Sequence, residues 1–401
     1  MSLMPVEDAL ARLIDGVQPL ETELVALEAA NGRWLSAPLA STRTQPPFAA
    51  SAMDGYAVRA GDIASGIAVL TVIGEAPAGH GFSGHVGPGQ SVRIFTGAPV
   101  PDGADTILIQ ENAERSGDQI TILEAPKAGA FVRPAGLDFS DGEVLLEPPL
   151  RLGYRELALA AAMNHAVVPV YRKPKVAILA TGDELVRPGA NPGPDQIIAS
   201  NHAGIAALVE DCGGLPLDLG ISKDDPETLA AHVRRGLAAD ADILVTLGGA
   251  SVGDHDLVQD VLGNEGMDLA FWRIAMRPGK PLMAGHLGKT KVLGLPGNPV
   301  SSLVCGLLFL KPLIAALLGQ GKAAGGTKQA TLGADLKEND RRQDYIRASL
   351  EEDDKGQLVA TPFAKQDSSM LALLSKSGAL IVRPPHAQAE KAGSTVPVLP
   401  L

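Results

Sequence analysis

The stretch ADILVTLGGASVGDHD (241–256) passes from a continuous apolar run directly into a glycine-rich loop. An uninterrupted run such as ILVTL (243–247) is typical of a strand that is fully buried. A second run of this kind, KVAILAT (175–181), also ends in a short polar segment, GDEL (182–185). Both runs therefore predict buried strands, each followed by a loop that carries glycine and carboxylates.

Helical patterns separate these strands along the chain. Residues 201–212 have a helical pattern that stops at a Gly-Gly pair, which is a common signal for the end of a helix. The segment DDPETLAAHVRRGL (224–237) begins with Asp225 as a cap, followed by a proline at the first helical position. Strands that alternate with helices predict a largely parallel sheet. Ligands of such sheets bind beyond the carboxyl ends of the strands, so we expect a site there.

The rest of the chain predicts further domains, because 401 residues exceed the usual size of a single core. The expected fold class is multidomain α/β plus β, with a central α/β domain whose sheet is mostly parallel. Short alternating runs with frequent glycine predict an inserted β domain, and strand-like runs predict a small C-terminal β domain. The expected boundaries are 1–44 with 139–173 for a discontinuous N-terminal mixed α/β region, 45–138 for the inserted β domain, 174–323 for the α/β domain and 324–401 for the C-terminal β domain.

Bulk properties narrow the class of protein. A formal net charge of −12 argues against general binding to nucleic acid or to anionic membrane surfaces. Two cysteines, Cys212 and Cys305, have no metal-ligand spacing and are typical of a reduced, cytoplasmic setting. The N-terminus lacks the basic start and apolar core of a signal peptide. We therefore expect a cytoplasmic protein.

One segment, PVSSLVCGLLFLKPLIAALL (299–318), is apolar enough to be considered as a membrane span. Lys311 and Pro312 interrupt it, and two serines lie near its start. These polar positions favour a helix that is buried in a domain core over a helix in a membrane.

Three glycine-rich loops follow one another: GGASVGDHD (248–256), RPGKP (277–281) and GLPGNPVSS (294–302). Glycine lets backbone N–H groups approach an anion closely, and a following helix adds the positive end of its dipole. Basic side chains suited to a phosphate or a tetrahedral oxyanion accompany the loops, namely Arg273, Arg277 and Lys280. Taken singly, each loop is equally explained as a turn, and the third as a helix start with Asn298 as cap.

Carboxylates form a second group of candidates. They occur in short loop motifs: Asp54 in SAMDGYA, Asp138 in FVRPAGLD, Asp183 and Glu184 in TGDEL, and Asp224 and Asp225 in SKDD. Oxygen-rich groups of this kind suit Mg²⁺ bound together with phosphate, although helix caps and surface turns explain the same residues. The sequence contains no CxxC motif, which argues against redox chemistry.

Taken together, six motifs resemble, in order and over nearly the whole chain, those of the molybdopterin molybdenumtransferase family, which comprises MoeA and the E domain of gephyrin. The motifs are SAMDGYA, FVRPAGLD, TGDEL, GGASVGDHD, RPGKP and GLPGNPVSS. The resemblance implies an elongated four-domain homodimer whose third domain is a molybdopterin-binding α/β fold. It also implies an enzyme of molybdenum cofactor biosynthesis that inserts molybdate into adenylylated molybdopterin, with Mg²⁺ assistance and release of AMP.

The resemblance carries roles over to particular residues. It implies a catalytic set of Asp54, Asp138, Glu184, Asp256 and Arg133, in which the four carboxylates would also bind Mg²⁺ or molybdate. It implies a substrate-binding set of Gly248, Gly249, Ser251, Gly253, Asp224, Arg273, Arg277, Lys280, Pro296, Gly297 and Asn298. The segment AKQDSSML (364–371) departs from the family pattern and leaves Ser368, Ser369 and Arg347 unassigned.

The resemblance also implies partners: a second copy of the chain, the adenylyltransferase that supplies the substrate, and molybdoenzymes or chaperones that accept the cofactor. Two alternative functions stay open at this point. A molybdopterin adenylyltransferase of the MogA type would not need the region 1–170. A non-catalytic dimeric scaffold, such as the peptide-binding role of the gephyrin E domain, would not need the complete set of charged residues.

Overall fold

The structure is a computed structural model, and it describes residues 3–249, 257–320 and 326–401. The chain folds as two compact units. The larger unit contains residues 1–23, 32–36 and 170–401. The smaller unit contains residues 24–31 and 37–169.

A six-stranded sheet lies at the centre of the larger unit. Its strands, in chain order, are β1 (Lys175–Thr181), β2 (Leu215–Ser222), β3 (Ile243–Leu247), β4 (Asp268–Trp272), β5 (Met283–Leu287) and β6 (Thr290–Leu295). Their order across the sheet is β2-β1-β3-β6-β5-β4. The first four of these strands are parallel, whereas β5 is antiparallel to β6 and β4 is antiparallel to β5. The prediction of a mostly parallel sheet is confirmed.

Helices cover both faces of this sheet, which explains why its strands read as continuous apolar runs. The helices are α1 (Ser200–Asp211), α2 (Pro226–Ala238), α3 (Leu257–Asn264) and α4 (Pro299–Leu317). Successive side chains of a strand point to opposite faces. Val176 and Ile178 of β1 therefore pack with α1 and α4, whereas Ala177 and Leu179 pack with α2 and α3.

Helix α2 begins as the sequence predicts. The Asp225 carboxylate accepts hydrogen bonds from Thr228 N at 2.8 Å and from Thr228 Oγ1 at 2.7 Å, and Pro226 occupies the first helical position. These bonds satisfy a backbone N–H that has no partner inside the helix. Asp225 therefore acts as a helix cap.

Helix α4 contains a π-helical turn at Gly306–Leu310. Among the described residues, it is the one helix whose length and composition would allow it to cross a membrane, and 67% of its most apolar window is buried inside the protein. Phe309 and Leu313 are fully buried in the core that α4 shares with the sheet. Packing in this core accounts for the apolar composition of α4.

The C-terminal part of the larger unit is a small β barrel. Its strands, in order around the barrel, are Gln343–Glu352, Leu358–Pro362, Lys328–Leu332, Thr395–Pro400 and Ala379–Arg383, and the last pairs with the first. A two-residue strand, Met276–Arg277, adds to the barrel in parallel and places Arg277 opposite Asp344. The loop RPGKP thus begins on the edge of the barrel.

A second six-stranded sheet forms the core of the smaller unit. Its strands, in order across the sheet, are Thr106–Ile109, Gly55–Val58, Gln90–Ile94, Val69–Ala76, Gln119–Ile122 and Ala113–Ser116. The central pair, Gln90–Ile94 and Val69–Ala76, is parallel, and the other neighbours are antiparallel. Strand Gly55–Val58, which follows Asp54, is buried and lies second in this sheet, next to the edge strand Thr106–Ile109.

Shorter elements complete the fold. The remaining strands are Thr22–Ala26, Trp34–Leu35, Leu39–Ala40, Ala50–Ser51, Val132–Arg133, Val144–Leu146, Leu150–Arg151, Val167–Tyr171, Leu185–Val186 and Ile197–Ile198. The remaining helices are Val6–Ile14, Ala60–Ala64, Tyr154–Ala162 and Leu371–Leu374, with single 3₁₀ turns at Leu27–Ala29 and Gln110–Asn112. The predicted fold class is confirmed by these sheets and the barrel, while the predicted domain boundaries stay predictions.

One largely buried carboxylate holds the segment that leads into strand β1 of the central sheet. Asp242, whose side chain is 12% exposed, accepts two bonds of 2.7 Å from the Arg172 guanidinium and one of 2.8 Å from Lys175 N. We expect Asp242→Ala to lower the free energy of unfolding of the larger unit by about 2 to 3 kcal/mol, because the charged Arg172 guanidinium and the Lys175 N–H both lose a hydrogen-bond acceptor. Calorimetry should show a Tm lower by roughly 5 to 10 °C.

Lys289→Ala is the control for this prediction. It removes the Lys289–Asp240 pair, whose side chains are 80% and 71% exposed and 3.1 Å apart. Exposed pairs contribute about 0 to 1 kcal/mol, so its Tm should stay near that of the wild type. Equal melting temperatures for the wild type and Asp242→Ala would show that the Arg172–Asp242 pair does not stabilise the sheet.

Candidate functional site

A cavity of about 660 Å³ lies at the carboxyl ends of the parallel strands of the larger unit. The last residues of β1 and β3 line it, as do the residues that directly follow β1, β3 and β6. They include Thr181, Gly182, Leu247, Gly248, Gly249, Pro296 and Gly297. This is the edge of the sheet where the sequence predicts a site, and where parallel sheets commonly bind ligands.

Two of the glycine-rich loops approach each other closely in this cavity. Gly248 has a φ of +97°, and a Cβ there would lie 2.8 Å from Thr181 O. Gly249 has a φ of +69°, and a Cβ there would overlap with Val258 Cγ2. A Cβ on Gly297 would lie 3.5 Å from Gly248 Cα. The backbone conformation and the lack of space therefore both require glycine at 248 and 249.

Two helices begin at the wall of the cavity. The first turn of α1 contributes Ser200, Asn201 and His202, and α4 contributes Asn298 and Pro299. At neither helix does the side chain at the cap position accept a hydrogen bond from the first N–H groups. In α4, Pro299 has no N–H and Val300 N donates to Ser368 O at 3.0 Å, so α1 is the helix whose first turn offers free donors. Asn201 Nδ2 donates to Gly297 O at 2.7 Å, which joins α1 to the glycine loop. Helix N-termini with free N–H groups are suited to bind anions.

Two carboxylates line the same cavity, Glu184 in the loop after β1 and Asp224 in the loop after β2. Both side chains are exposed at its mouth. The loops are joined by a hydrogen bond of 3.3 Å from Asp224 N to Asp183 Oδ1. The fold thus brings together two residues that lie forty positions apart in the sequence.

The three predicted basic residues lie elsewhere in the larger unit, and the described lining of the cavity does not include them. Arg277 forms an ion pair with Asp344, and its guanidinium lies 3.7 Å from Asp340. Asp344 is buried, and burial raises its pKa although the Arg277 charge opposes that change. Two carboxylates therefore already compensate the charge of Arg277.

Arg273 precedes the RPGKP loop, and Lys280 lies within it. Arg273 has a φ of +69°, and its guanidinium lies over the Trp272 ring at 3.9 Å from the centroid. Lys280 O accepts hydrogen bonds from Ile274 N and Leu282 N at 3.0 and 3.1 Å. Backbone hydrogen bonds therefore hold both residues in a tight turn next to the sheet.

Asp54, Arg133 and Asp138 lie in the smaller unit. The Asp54 carboxylate accepts hydrogen bonds from Thr96 N at 2.7 Å and from Thr96 Oγ1 at 2.8 Å. These donors, the backbone amide first and the hydroxyl second, hold the pKa of Asp54 below its ordinary value. Asp54 is therefore a carboxylate that stays ionised at neutral pH.

Backbone pairing brings Arg133 close to the Asp54 loop. The strand Val132–Arg133 pairs with Ala50–Ser51, so that Arg133 lies opposite Ala50. Ala52 N also donates to Phe131 O at 2.8 Å. Asp138 N donates to Gln45 O at 3.0 Å, and the side chains of Arg133 and Asp138 are both exposed.

The structure thus separates the predicted residues into two sets, one in each unit. Glu184, Asp224, Gly248, Gly249, Pro296, Gly297 and Asn298 share the cavity of the larger unit. Asp54, Arg133 and Asp138 belong to the smaller unit. Ser251, Gly253 and Asp256, which complete the predicted set, lie outside the described residues.

Sequence reasoning missed the first turn of α1 as part of the site. Ser200, Asn201 and His202 line the cavity, because α1 starts where the chain returns to the carboxyl end of β1. The rule that ligands bind at this edge of a parallel sheet is a signal that could have identified them. Ser369, left unassigned from the sequence, also lines the cavity, and its hydroxyl donates to Asp367 at 2.6 Å.

Comparisons with protein families match three successive parts of the chain. Residues 4–164 match the MoeA N-terminal region (domains I and II), and residues 329–401 match the MoeA C-terminal region (domain IV). Residues 177–316 match a family described as a probable molybdopterin binding domain. The cavity described above lies mostly within this central match.

Full-length relatives have the same order of regions. A molybdopterin molybdenumtransferase of Nostoc sp. is 38% identical over 95% of this chain and 89% of its own length. A molybdopterin molybdenumtransferase of Haemophilus influenzae is 35% identical over 99% of this chain and 98% of its own length. The solved structure of a molybdopterin biosynthesis MoeA protein from Pyrococcus horikoshii is 30% identical, with a TM-score of 0.87, and the match covers 100% of this chain and 99% of that one.

The Asp54–Thr96 contact leads to a prediction about pH. Thr96→Val removes the hydroxyl donor and keeps the backbone donor, so the pKa of Asp54 should rise part of the way to its ordinary value. A depressed carboxylate pKa stabilises the folded state at higher pH, and this contribution is lost as the pH falls through the folded pKa. In Thr96→Val the loss should therefore occur at a higher pH.

Carbon-detected NMR titration of the Asp54 carboxyl group measures this pKa directly. Thr96→Ser is the matched control, because it keeps the hydroxyl donor and should retain the wild-type titration curve. A curve for Thr96→Val that coincides with that of the wild type would mean that the hydroxyl does not stabilise the Asp54 carboxylate.

Proposed function

Because the chain belongs to the MoeA family of molybdopterin molybdenumtransferases, enzymes of molybdenum cofactor biosynthesis, we propose that it inserts molybdate into adenylylated molybdopterin, releasing AMP and the molybdenum cofactor. The observation that supports this proposal is the cavity at the carboxyl ends of β1, β3 and β6. It combines glycine loops, two helix N-termini and two carboxylates in the region that matches a molybdopterin binding domain.

The glycine loops and the N-terminus of α1 would bind the phosphate groups of the substrate. Gly248, Gly249 and Gly297 leave the cavity floor without side chains. Gly249 and Gly297 are exposed, so their backbone groups are accessible to a ligand, whereas Gly248 N donates to Leu295 O at 3.1 Å. The N–H groups of the first turn of α1 add donors and partial positive charge. In a chain with a net charge of −12, this local arrangement is what makes binding of an anion possible.

Mg²⁺ fits the carboxylates of this cavity. In the described part of the chain, no group of three or more His, Cys, Asp or Glu side chains could hold a metal ion. Mg²⁺ in phosphate sites needs one or two protein carboxylates, and substrate phosphates and water supply the other ligands. We infer that Glu184 and Asp224 hold Mg²⁺ in this way. When bound, the ion would neutralise charge on the phosphoanhydride of the substrate.

Electrostatic repulsion between carboxylates and phosphates also supports a bound Mg²⁺. Glu184 and Asp224 line a cavity that would receive an anionic substrate, and both side chains are exposed at its mouth. Without a cation between them, carboxylates and phosphates would repel each other and weaken binding. We also propose that Asp54, Asp138 and Asp256 are further carboxylates that act on the metal or on molybdate, and that Arg133 acts beside them.

The basic residues divide into two proposed roles. Arg273 and Lys280 are proposed to hold molybdate, a tetrahedral dianion that suits cationic hydrogen-bond donors. Arg277 pairs with Asp344 and Asp340, so we expect it to orient the RPGKP loop. In this scheme the chain contributes mainly positioning and charge stabilisation, as is usual in phosphoryl transfer.

We further propose that the protein acts in the cytoplasm as a homodimer. It would receive its substrate from an adenylyltransferase and pass the cofactor to molybdoenzymes or their chaperones. A role as the adenylyltransferase itself, or as a non-catalytic scaffold, is not favoured. The relatives that match at 34–38% identity over almost the whole chain are named as molybdenumtransferases.

The test is molybdate-dependent release of AMP from adenylylated molybdopterin in the presence of Mg²⁺, followed together with cofactor formation. Glu184→Gln and Asp224→Asn should each lower the rate roughly 100-fold at low Mg²⁺, because even groups that only support a metal ligand contribute up to this much. Raising the Mg²⁺ concentration should restore part of the rate. Glu227→Gln is the matched control, since Glu227 is exposed in the first turn of α2 and outside the cavity lining.

Two results would contradict parts of this proposal separately. A wild-type enzyme that releases no AMP in response to molybdate would contradict the transferase activity. A rate that is unchanged in excess chelator would leave the activity intact but would contradict the role of Mg²⁺.

A further inference from the structure

His202 forms part of the wall between two cavities of the larger unit. It is the third residue of α1, and it lines both the main cavity and a neighbouring cavity of about 210 Å³. Its side chain is 22% exposed. The imidazole can therefore reach a ligand on one side while it contacts protein groups on the other.

On the side of the smaller cavity, the imidazole meets a carboxylate. His202 Nε2 lies 3.5 Å from Asp218 Oδ1, and Asp218 belongs to β2. Asp218 also accepts hydrogen bonds from Arg187 Nη1 at 2.9 Å and from Gly220 N at 2.6 Å. Burial acts to raise the pKa of Asp218, but these bonds and the nearby charges outweigh it and hold the pKa below its ordinary value. Asp218 is thus a fixed negative charge beside the ring.

The charge of Asp218 opposes the electrostatic effect of the α1 N-terminus on the His202 imidazole. The N-terminus of α1 carries about half a positive charge, which disfavours a protonated imidazole within its first turn. Asp218 carries a negative charge 3.5 Å from the ring and opposes this effect.

The other charged groups around His202 are few. Glu184 and Asp224 line the main cavity with it, and Arg187 lines the smaller one. Helix α1 also packs against β1 and α4. Their charged residues, Lys175 and Lys311, lie at the start of β1 and in the middle of α4, away from the cavity lining. Of the described side chains that line the main cavity, His202 is the one that can become positively charged.

We propose that His202, oriented by Asp218, binds the α-phosphate of the nucleotide in the main cavity. The chemical class of the ligand is a nucleoside monophosphate, either as part of the adenylylated substrate or as the released AMP, and in this respect the inference rests on the proposed function. His202 is a binding residue in this scheme and Asp218 is a positioning residue. Protonated imidazole donates a charge-assisted hydrogen bond, which phosphate oxygens accept strongly.

Equilibrium binding of AMP to the full-length protein at fixed Mg²⁺ tests this inference without turnover. His202→Gln should weaken binding about tenfold, because a neutral amide donates more weakly to a phosphate than an imidazolium does. His202→Arg should retain tight binding, because arginine keeps a positive charge.

Asp218→Asn separates positioning from binding. It should weaken AMP binding in the wild type but add little to the effect of His202→Gln, a dependence that a purely structural role of Asp218 would not produce. His232→Gln is the matched control, since His232 in α2 bonds to Thr228 O and lies outside the described lining of both cavities. It should reproduce the wild-type affinity. Melting temperatures of all variants show whether each one is folded.

A second measurement does not depend on affinity. The imidazole nitrogens of His202, observed by NMR, should shift when AMP is added to the wild type, and those of His232 should not. Wild-type affinity in a folded His202→Gln, or no shift of the His202 nitrogens at saturating AMP, would overturn the inference. If the wild type fails to form the cofactor but binds AMP through His202, the proposed function fails and the binding site stands.

Discussion

The organisation of the larger unit depends on one constraint, the burial of both faces of its parallel strands. Since helices cover the two faces, the sheet can meet solvent and ligand only at its ends, and the carboxyl ends of β1, β3 and β6 converge on one cavity. The close approach of Gly248 and Gly297 is a direct consequence, because neighbouring parallel strands bring their following loops side by side. Glycine at these positions keeps the floor of the cavity open.

Charge is distributed unevenly around this cavity. Its lining contains two carboxylates and one histidine, while Arg277 is compensated by Asp344 and Asp340 on the edge of the barrel. Under the proposed function, an anionic substrate would be held by backbone N–H groups, the N-terminus of α1 and a cation bound by the carboxylates. Electrostatic stabilisation from fixed dipoles needs no side chain to reorganise during the reaction. A protein with a strong negative net charge can bind a polyanion in this way.

Much of the central domain is predictable from local signals. The run KVAILAT corresponds to β1, the helix predicted at 201–212 occupies Ser200–Asp211, and Asp225 caps α2 as its spacing indicates. These features depend on neighbours in the sequence, so periodicity and capping rules suffice to find them. The partners of Arg277 and His202 cannot be found in this way. Asp344 lies 67 residues from Arg277 along the sequence. Asp218 lies on strand β2, whereas His202 lies on helix α1. No local pattern reports such contacts.

The sequence by itself determined the class of the fold, the ordered motifs of the family and the edge of the sheet at which a ligand would bind. Apolar runs, caps and glycine-rich loops carry this information because their physical effects act over a few residues. The tertiary structure alone decided which charges share the cavity: it placed Glu184, Asp224 and His202 there and paired Arg277 with Asp344 instead. The reason is that electrostatic interactions depend on distance in space, and only packing sets that distance.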